Sequence, residues 1–289
     1  MSLLRPTPWE LHACGDLGPV CVRREDLCAA GNGSPDFSKL RGIEEHLRKT
    51  SPPRVGVLDS IHSKAGWGVA WVASHLGIPV EVYYPVTVRE GGILDPPVRP
   101  FQKCARELGA TLHPLPAGMS AVLWHQAKAD FLKNHPAGEF LPNGLQFQEA
   151  VEATCVQVQT VVSGCPSWVY QPSTMWVVAA SSGNIAAGIL KGMAAYGFQG
   201  LLVVHMGYSR SKTSLRERIH SRAGVWDGAV RVELVDEGWD YAQNAQGFAP
   251  FPCNPYYDLK AWQWLNSPDG GDMMAMSGCT GAAFWNIGA

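Results

Sequence analysis

Two short stretches carry the residue types that could do covalent and phosphate chemistry. Phe37-Ser38-Lys39-Leu40-Arg41-Gly42 places one lysine where a helix begins, just after a loop rich in Gly and Pro. Ser181-Ser182-Gly183-Asn184 is a small-residue turn between an apolar strand and a helix. Such a turn aims backbone N–H groups at an anion, and small residues let the backbone come close to it. A lysine amine attacks an aldehyde only when part of it is deprotonated, so its usual pKa of about 10.4 must be lowered by burial or nearby positive charge. A helix start supplies that positive potential. An imine-forming lysine plus a phosphate turn with no nucleotide fingerprint points to pyridoxal phosphate. Taken alone, Lys39 reads as a solvated surface lysine and 181–184 as a plain helix cap.

The surrounding pattern shows what must position these residues. Val55–Leu58 reads as a buried strand, and Ala65–Leu76 as a helix with Val69, Ala70, Val72 and Ala73 at helical spacing. Pro79–Tyr84 reads as the next strand, stopped by Pro85. Helix Pro100–Leu108 is capped by Gly109, strand Ala110–Leu112 follows, and a helix runs from Ser120 to Lys133. A second series follows. Helices are expected over Glu149–Val162, Asn184–Ala195 and Ser214–Arg222, and strands over Trp176–Ala180, Leu201–His205 and Val230–Val235. Gly247–Pro255 reads as a loop. This alternation predicts two three-layer parallel-sheet α/β domains, a large one of 1–48 and 146–289 and a small inserted one of 49–145.

Composition narrows the classes. A chain of 289 residues, 46% hydrophobic and 17% charged, can bury a sizeable core. A net charge of -2 gives no general attraction to nucleic acid. No stretch is long and apolar enough to span a membrane, and Met1-Ser2-Leu3-Leu4-Arg5-Pro6 carries no signal-like apolar run. The eight cysteines show no C-x-x-C pair and no metal-ligand spacing, as expected of reduced core residues in a cytoplasmic protein. The 11 tryptophans read as packing residues. Arg210, Lys212, Arg216, Arg218 and Arg222 read first as a solvated helix face balanced by Glu217, with nucleic-acid phosphates as the other reading.

Arg24-Glu25-Asp26-Leu27 followed by Phe37–Gly42 resembles the opening of the fold-type II pyridoxal-phosphate enzymes, the tryptophan synthase β-like superfamily. The likeness is nearest to the aminocyclopropane-carboxylate deaminase and D-cysteine desulfhydrase group. In that family a K-R-E-D-L segment precedes the lysine that holds the cofactor as an imine, and Lys39 matches it. His62-Ser63-Lys64-Ala65-Gly66, ahead of His75-Leu76-Gly77, is similar to a family loop in which serine is followed by asparagine. The resemblance implies that Ser63 sits near the substrate carboxylate and the cofactor ring. Lys64 replaces the asparagine that contacts the ring hydroxyl. It either supplies positive charge there or turns to solvent. Ser181-Ser182-Gly183-Asn184-Ile185 stands where the family has its phosphate loop, with fewer glycines. Asn254-Pro255-Tyr256-Tyr257-Asp258-Leu259-Lys260-Ala261 is similar to D-P-V-Y-x-G-K-A, so Tyr257 and Asp258 are implied to line the site. Met276-Ser277-Gly278-Cys279-Thr280-Gly281 resembles H-T-G-G near the family C-terminus, and implies that Ser277 bonds the pyridine nitrogen, a role for which Asp258 competes.

The resemblance implies a lyase acting at the Cα of an amino acid or an amino-acid-bearing molecule, by elimination, deamination or decarboxylation, and a homodimer. Two alternatives stay open. One is decarboxylation of an amino acid attached to thymine, as among bacteriophage enzymes that hypermodify DNA, placing the protein in host cytoplasm. The other is a degenerate, non-catalytic ligand-binding member, favoured by loss of the asparagine and opposed by retention of Lys39, Ser63 and Ser277.

Overall fold

Buried strands and helices alternate along most of the chain. The computed structural model describes every residue except 1, 15, 16, 30, 32, 61, 89–93, 96, 97, 117, 161–164, 226, 227, 229 and 289. In chain order the strands β1 (Trp9–Ala13) and β2 (Pro19–Arg24) lead to α1 (Leu40–Thr50), β3 (Val55–Leu58), α2 (Ala65–Leu76), β4 (Val80–Val88) and β5 (Leu94–Asp95). Then come α3 (Pro100–Glu107), β6 (Thr111–Pro116), α4 (Ser120–Asn134), β7 (Glu139–Phe140), α5 (Gln148–Gln159), β8 (Thr174–Ala180) and α6 (Asn184–Tyr196). The last elements are β9 (Leu201–Met206), α7 (Lys212–Ala223), β10 (Arg231–Val235), α8 (Asp258–Leu265), α9 (Pro268–Met276) and β11 (Gly281–Asn286). The chain divides into two compact units.

The first unit comprises Met1–Leu4, Ala29–Pro35 and Lys39–Phe147. Its strands β7, β3, β4 and β6 are parallel neighbours, and β5 adds antiparallel to the far end of β4. Phe131 of α4 packs with Tyr83 and Phe140 on one sheet face. Helix α2 packs on β3 and β4 and is flanked by α1 and α3. The expected stop at Pro85 does not occur, since β4 runs on to Val88. Pairing with β3 ends at Tyr83, while Pro85 aligns only with Leu115 of β6. A proline lacks one donor, and a strand with one free edge tolerates that loss.

The second unit comprises Arg5–Cys28, Asp36–Ser38 and Gln148–Ala289. Its sheet order is β1-β2-β11-β8-β9-β10, parallel throughout except for the β1–β2 hairpin. Every residue of β8 is buried, as a central parallel strand covered on both faces requires. On one face Trp9, Trp176 and Trp285 pack with α5, α6 and α7, and on the other Phe251, Trp262 and Phe284 pack with α8. Most tryptophans are therefore core residues. The three-layer α/β architecture is as expected. Strands β1, β2, β5, β7 and β11 are additions to the sequence reading. Helix α5 ends at Gln159, and the expected extension through Val161 and Val162 lies outside the described residues.

Candidate active site

The turn after β8 is built for an anion. Ser181, Ser182 and Gly183 separate Ala180 from α6, and Ser182 and Asn184 are buried. Gly183 has φ +87°, and a Cβ there would stand 3.1 Å from the Leu215 and Ile219 side chains. Only glycine adopts that conformation cheaply. Gly183 is the N-cap of α6 and brings no side-chain acceptor to the first turn. Early helix N–H groups without a side-chain cap, at the positive end of a 13-residue helix, suit a phosphate.

Tyr257 and Asp258 come to this same end of the sheet. The Tyr257 hydroxyl lies close enough to Ser181 of the turn for the serine to bear on its ionisation. Its ring covers Gly207, where a Cβ would lie 2.4 Å from the ring. Burial, with Tyr241 beside it, pushes the Tyr257 hydroxyl above its usual range, so it stays protonated at neutral pH. Asp258 is buried at the start of α8, and its Oδ1 accepts the Ile287 N–H at 2.9 Å. Ile287 follows β11, whose Trp285 aligns with Val178 of β8, so this carboxylate stands at the edge where β8 turns into 181–184. Lys260 is also fully buried there; its Nζ donates to the Gly207 carbonyl at 2.6 Å, and burial lowers its pKa to about 8.

Ser277 does not join them. It ends α9 and accepts a hydrogen bond from Arg231 Nη2. Thr280, just beyond it, donates its N–H to Ser173 O at 2.8 Å, ahead of β8. Residues that precede parallel strands lie at the opposite edge from residues that follow them. With about 3.3 Å per residue, β8 separates the two edges by roughly 20 Å. The expectation that Ser277 bonds a ring nitrogen near the phosphate turn is therefore corrected. The acid at the correct edge is Asp258.

The Arg24-Glu25-Asp26 segment works as a brace. Arg24 forms two bonds to Asp26, at 2.9 and 2.7 Å. Asp26 accepts from Asn286 Nδ2 at 2.9 Å, and the same amide donates to Pro252 O at 2.9 Å. The ends of β2 and β11 and the approach to Tyr257 are thereby linked. Asn286 is absent from the sequence reading because its role depends on β11, a strand the pattern does not reveal.

In the first unit, Lys39 is the N-cap of α1, and its Nζ donates to the Gly144 carbonyl at 3.0 Å. Ser63 Oγ accepts the Ala65 N–H at 2.9 Å and so caps the first turn of α2. Lys64 is 7% exposed, which overturns the solvent-facing reading. Its amine lies 5.2 Å from the Phe101 ring centroid and 5.9 Å from that of Trp67. Asp59, missed by the sequence reading, organises this loop. Its Oδ1 accepts the Gly66 N–H at 3.2 Å and its Oδ2 accepts from Gln102 at 2.9 Å. Burial raises the Asp59 pKa to about 6, against the lowering effect of these bonds and of Ser63. The only sequence signal is an acid directly after a buried strand.

In the second unit an uncapped helix N-terminus suits the phosphate of pyridoxal phosphate and a buried carboxylate near it suits the ring; in the first unit an amine stands at a helix start. Solved structures show the same fold. An aminocyclopropane-carboxylate deaminase homologue superposes with a TM-score of 0.77 at 18% identity, over 100% of this chain and 91% of that one. Maize serine racemase gives 0.67 at 12% identity, over 99% and 89%. Apo Escherichia coli diaminopropionate ammonia lyase gives 0.63 at 15% identity, over 100% and 84%. The chain thus has the architecture of the fold-type II pyridoxal-phosphate enzymes. No protein-family model matches it. It is 40% identical over 289 residues, 99% of both chains, to a curated protein of Pseudomonas phage M6 described as a glycyl-dTMP pyridoxal-phosphate-dependent decarboxylase. The chain belongs to the pyridoxal-phosphate enzyme family of that phage protein. It is a pyridoxal-phosphate-dependent enzyme of the lyase type, acting at the Cα of an amino acid or amino-acid-bearing substrate. Among the described residues, no helix is long and apolar enough to cross a membrane.

Proposed function

We propose that the reaction is decarboxylation of an amino-acid group carried on a thymine nucleotide, in the service of DNA modification. The observation that carries this reading is the 40% identity, over essentially the whole of both chains, to a phage decarboxylase named for glycyl-dTMP. The Lys64 substitution supports it, because the loop beside Ser63 departs from enzymes acting on free amino acids.

In this reading Lys39 holds the cofactor aldehyde carbon, the backbone of Ser181, Ser182, Gly183, Asn184 and Ile185 holds the phosphate, and Asp258 serves the ring nitrogen. Bound pyridoxal phosphate supplies an electron sink for the pair released when the bond from Cα to the carboxylate breaks. Ser63 and Lys64 orient the substrate carboxylate. The amine of Lys39, once released, returns a proton to Cα where carbon dioxide has left. Tyr257, protonated by burial, donates a hydrogen bond at the phosphate turn. In this reading the cofactor-binding domain is 1–48 with 146–289 and the smaller inserted domain 49–145, although residues 39–48 pack within the first compact unit. The protein works as a homodimer in the cytoplasm, that of the host if the chain is a phage product.

The test has two parts. Borohydride reduction followed by peptide mass spectrometry should find the cofactor on Lys39; an adduct on the buried Lys260, or none, defeats the site. Aminoacylated thymidine nucleotide should release carbon dioxide, while free amino acids release neither ammonia nor pyruvate. Product from free amino acids alone would favour the elimination or deamination reading instead. A colourless protein that takes up no pyridoxal phosphate would favour a ligand-binding member.

A further inference from the structure

The basic run of α7 is not one solvated face. Arg216 bonds the Val232 carbonyl at 2.7 Å and lies 3.7 Å from Glu233, away from the phosphate turn. Arg222, half-buried, donates through Nη1 to Asn184 Oδ1, the first residue of α6. Arg210 reaches the other side of the same turn. Its Nη2 donates to the Ala180 carbonyl at 3.4 Å and its Nη1 to the Tyr208 hydroxyl at 3.3 Å. Its Nε is buried with no hydrogen-bond partner. Arg218 lies one helical turn before Arg222, and its charge bears on both Arg210 and Arg222. Among the described residues, neither Arg210 nor Arg218 forms an ion pair. The buried arginines Arg23 and Arg24, by contrast, have carboxylate partners.

Three guanidiniums gathered beside an uncapped helix N-terminus repel one another, and burial deepens that cost. A doubly charged oxyanion removes the repulsion and offers the acceptor that Arg210 Nε lacks. We infer that Arg210, Arg218 and Arg222 bind a phosphate ester beside the 181–184 turn. Two esters carry that chemistry, the cofactor and the 5′-phosphate of a nucleotide substrate; the second rests on the proposed function.

Titration calorimetry on the full chain tests this. Protein stripped of cofactor is titrated with pyridoxal phosphate and with pyridoxal, and cofactor-loaded protein with dTMP and with thymidine. Wild type is compared with Arg218→Gln, Arg210→Gln and Arg210→Lys. Each loss of charge should weaken a phosphorylated ligand on the order of tenfold and leave its unphosphorylated partner within about twofold. Loss confined to pyridoxal phosphate assigns the cofactor as the ester, and loss confined to dTMP assigns the nucleotide. If both phosphorylated ligands bind Arg218→Gln as tightly as wild type, at an unchanged melting temperature, the inference is overturned, even should the Arg210 variants misfold. If wild type takes up no pyridoxal phosphate, the cofactor reading fails separately, and titration of the cofactor-free protein and its variants with dTMP and thymidine decides.

Discussion

Two strand-turn-helix junctions in this molecule solve the same problem in opposite ways. At the junction of β3 and α2, Asp59 accepts the Gly66 N–H and Ser63 Oγ accepts the Ala65 N–H, so the helix start is neutralised from within the chain. At the junction of β8 and α6, Gly183 brings no side-chain acceptor, and arginines stand close by. The first junction is complete without a ligand. The second has donors and positive charge in excess, which suits an anion. One backbone geometry thus becomes either scaffold or binding site, according to whether the chain supplies its own carboxylate.

The largest effect that could break this contrast is expected from Gly183→Val. A branched side chain at φ +87°, against Leu215 and Ile219, displaces the amides that face the anion. Losing two charge-assisted bonds should weaken pyridoxal phosphate about 100-fold or more, read by fluorescence titration. At the other junction, Asp59→Ala should cost about 2–3 kcal/mol of stability in urea denaturation, because the Gly66 N–H and the Gln102 amide lose their buried acceptor. Cofactor affinity should fall far less than in Gly183→Val. Equal losses in the two variants would erase the distinction between scaffold and site.

Acidity sharpens the contrast further. The Asp59 carboxyl titrates near 6 when folded and near 3.9 when unfolded. Between about pH 4 and 6 the folded state therefore binds more protons, and this group's contribution to stability falls as pH rises through that window. The change is on the order of 3 kcal/mol. Asp59→Asn should remove it, so the stability difference between variant and wild type should grow in the variant's favour from pH 4 to 7. A constant difference would show that Asp59 is charged throughout. The smallest effect is expected at the wrong edge of the sheet. Ser277→Ala should cost about 1 kcal/mol or less through the lost bond from Arg231 and leave cofactor affinity within about twofold. A tenfold loss of affinity there would reinstate Ser277 as a cofactor contact.

Much of this was legible from local pattern. Strand Val55–Leu58 and helix Ala65–Leu76 have the expected bounds, because a fully apolar run and an Ala/Val stripe each admit one solution. Strand β2 was not legible. Its Arg23 and Arg24 interrupt the apolar run that marks a buried strand, yet Arg23 is wholly buried with Glu25, 5.6 Å from the Trp9 ring centroid and 5.8 Å from that of Trp285. Partners that distant in sequence leave no local trace. Pro85 misled for a related reason, since its tolerance depends on where the β3 pairing stops. The motif order also carried no information about which end of a strand each residue occupies, and so Ser277 and Asp258 could not be ranked.

By itself the sequence determined the alternation of strands and helices, the lysine with its nucleophilic amine, and the small-residue turn. These are properties of residue type and spacing over a few positions. Only the tertiary structure decided which helix start keeps its own acid, which carboxylate stands at the turn's edge of the sheet, and which arginines leave the solvent to meet it. Those outcomes depend on strand order and register, through which segments over a hundred residues apart share, or fail to share, one low-dielectric surface.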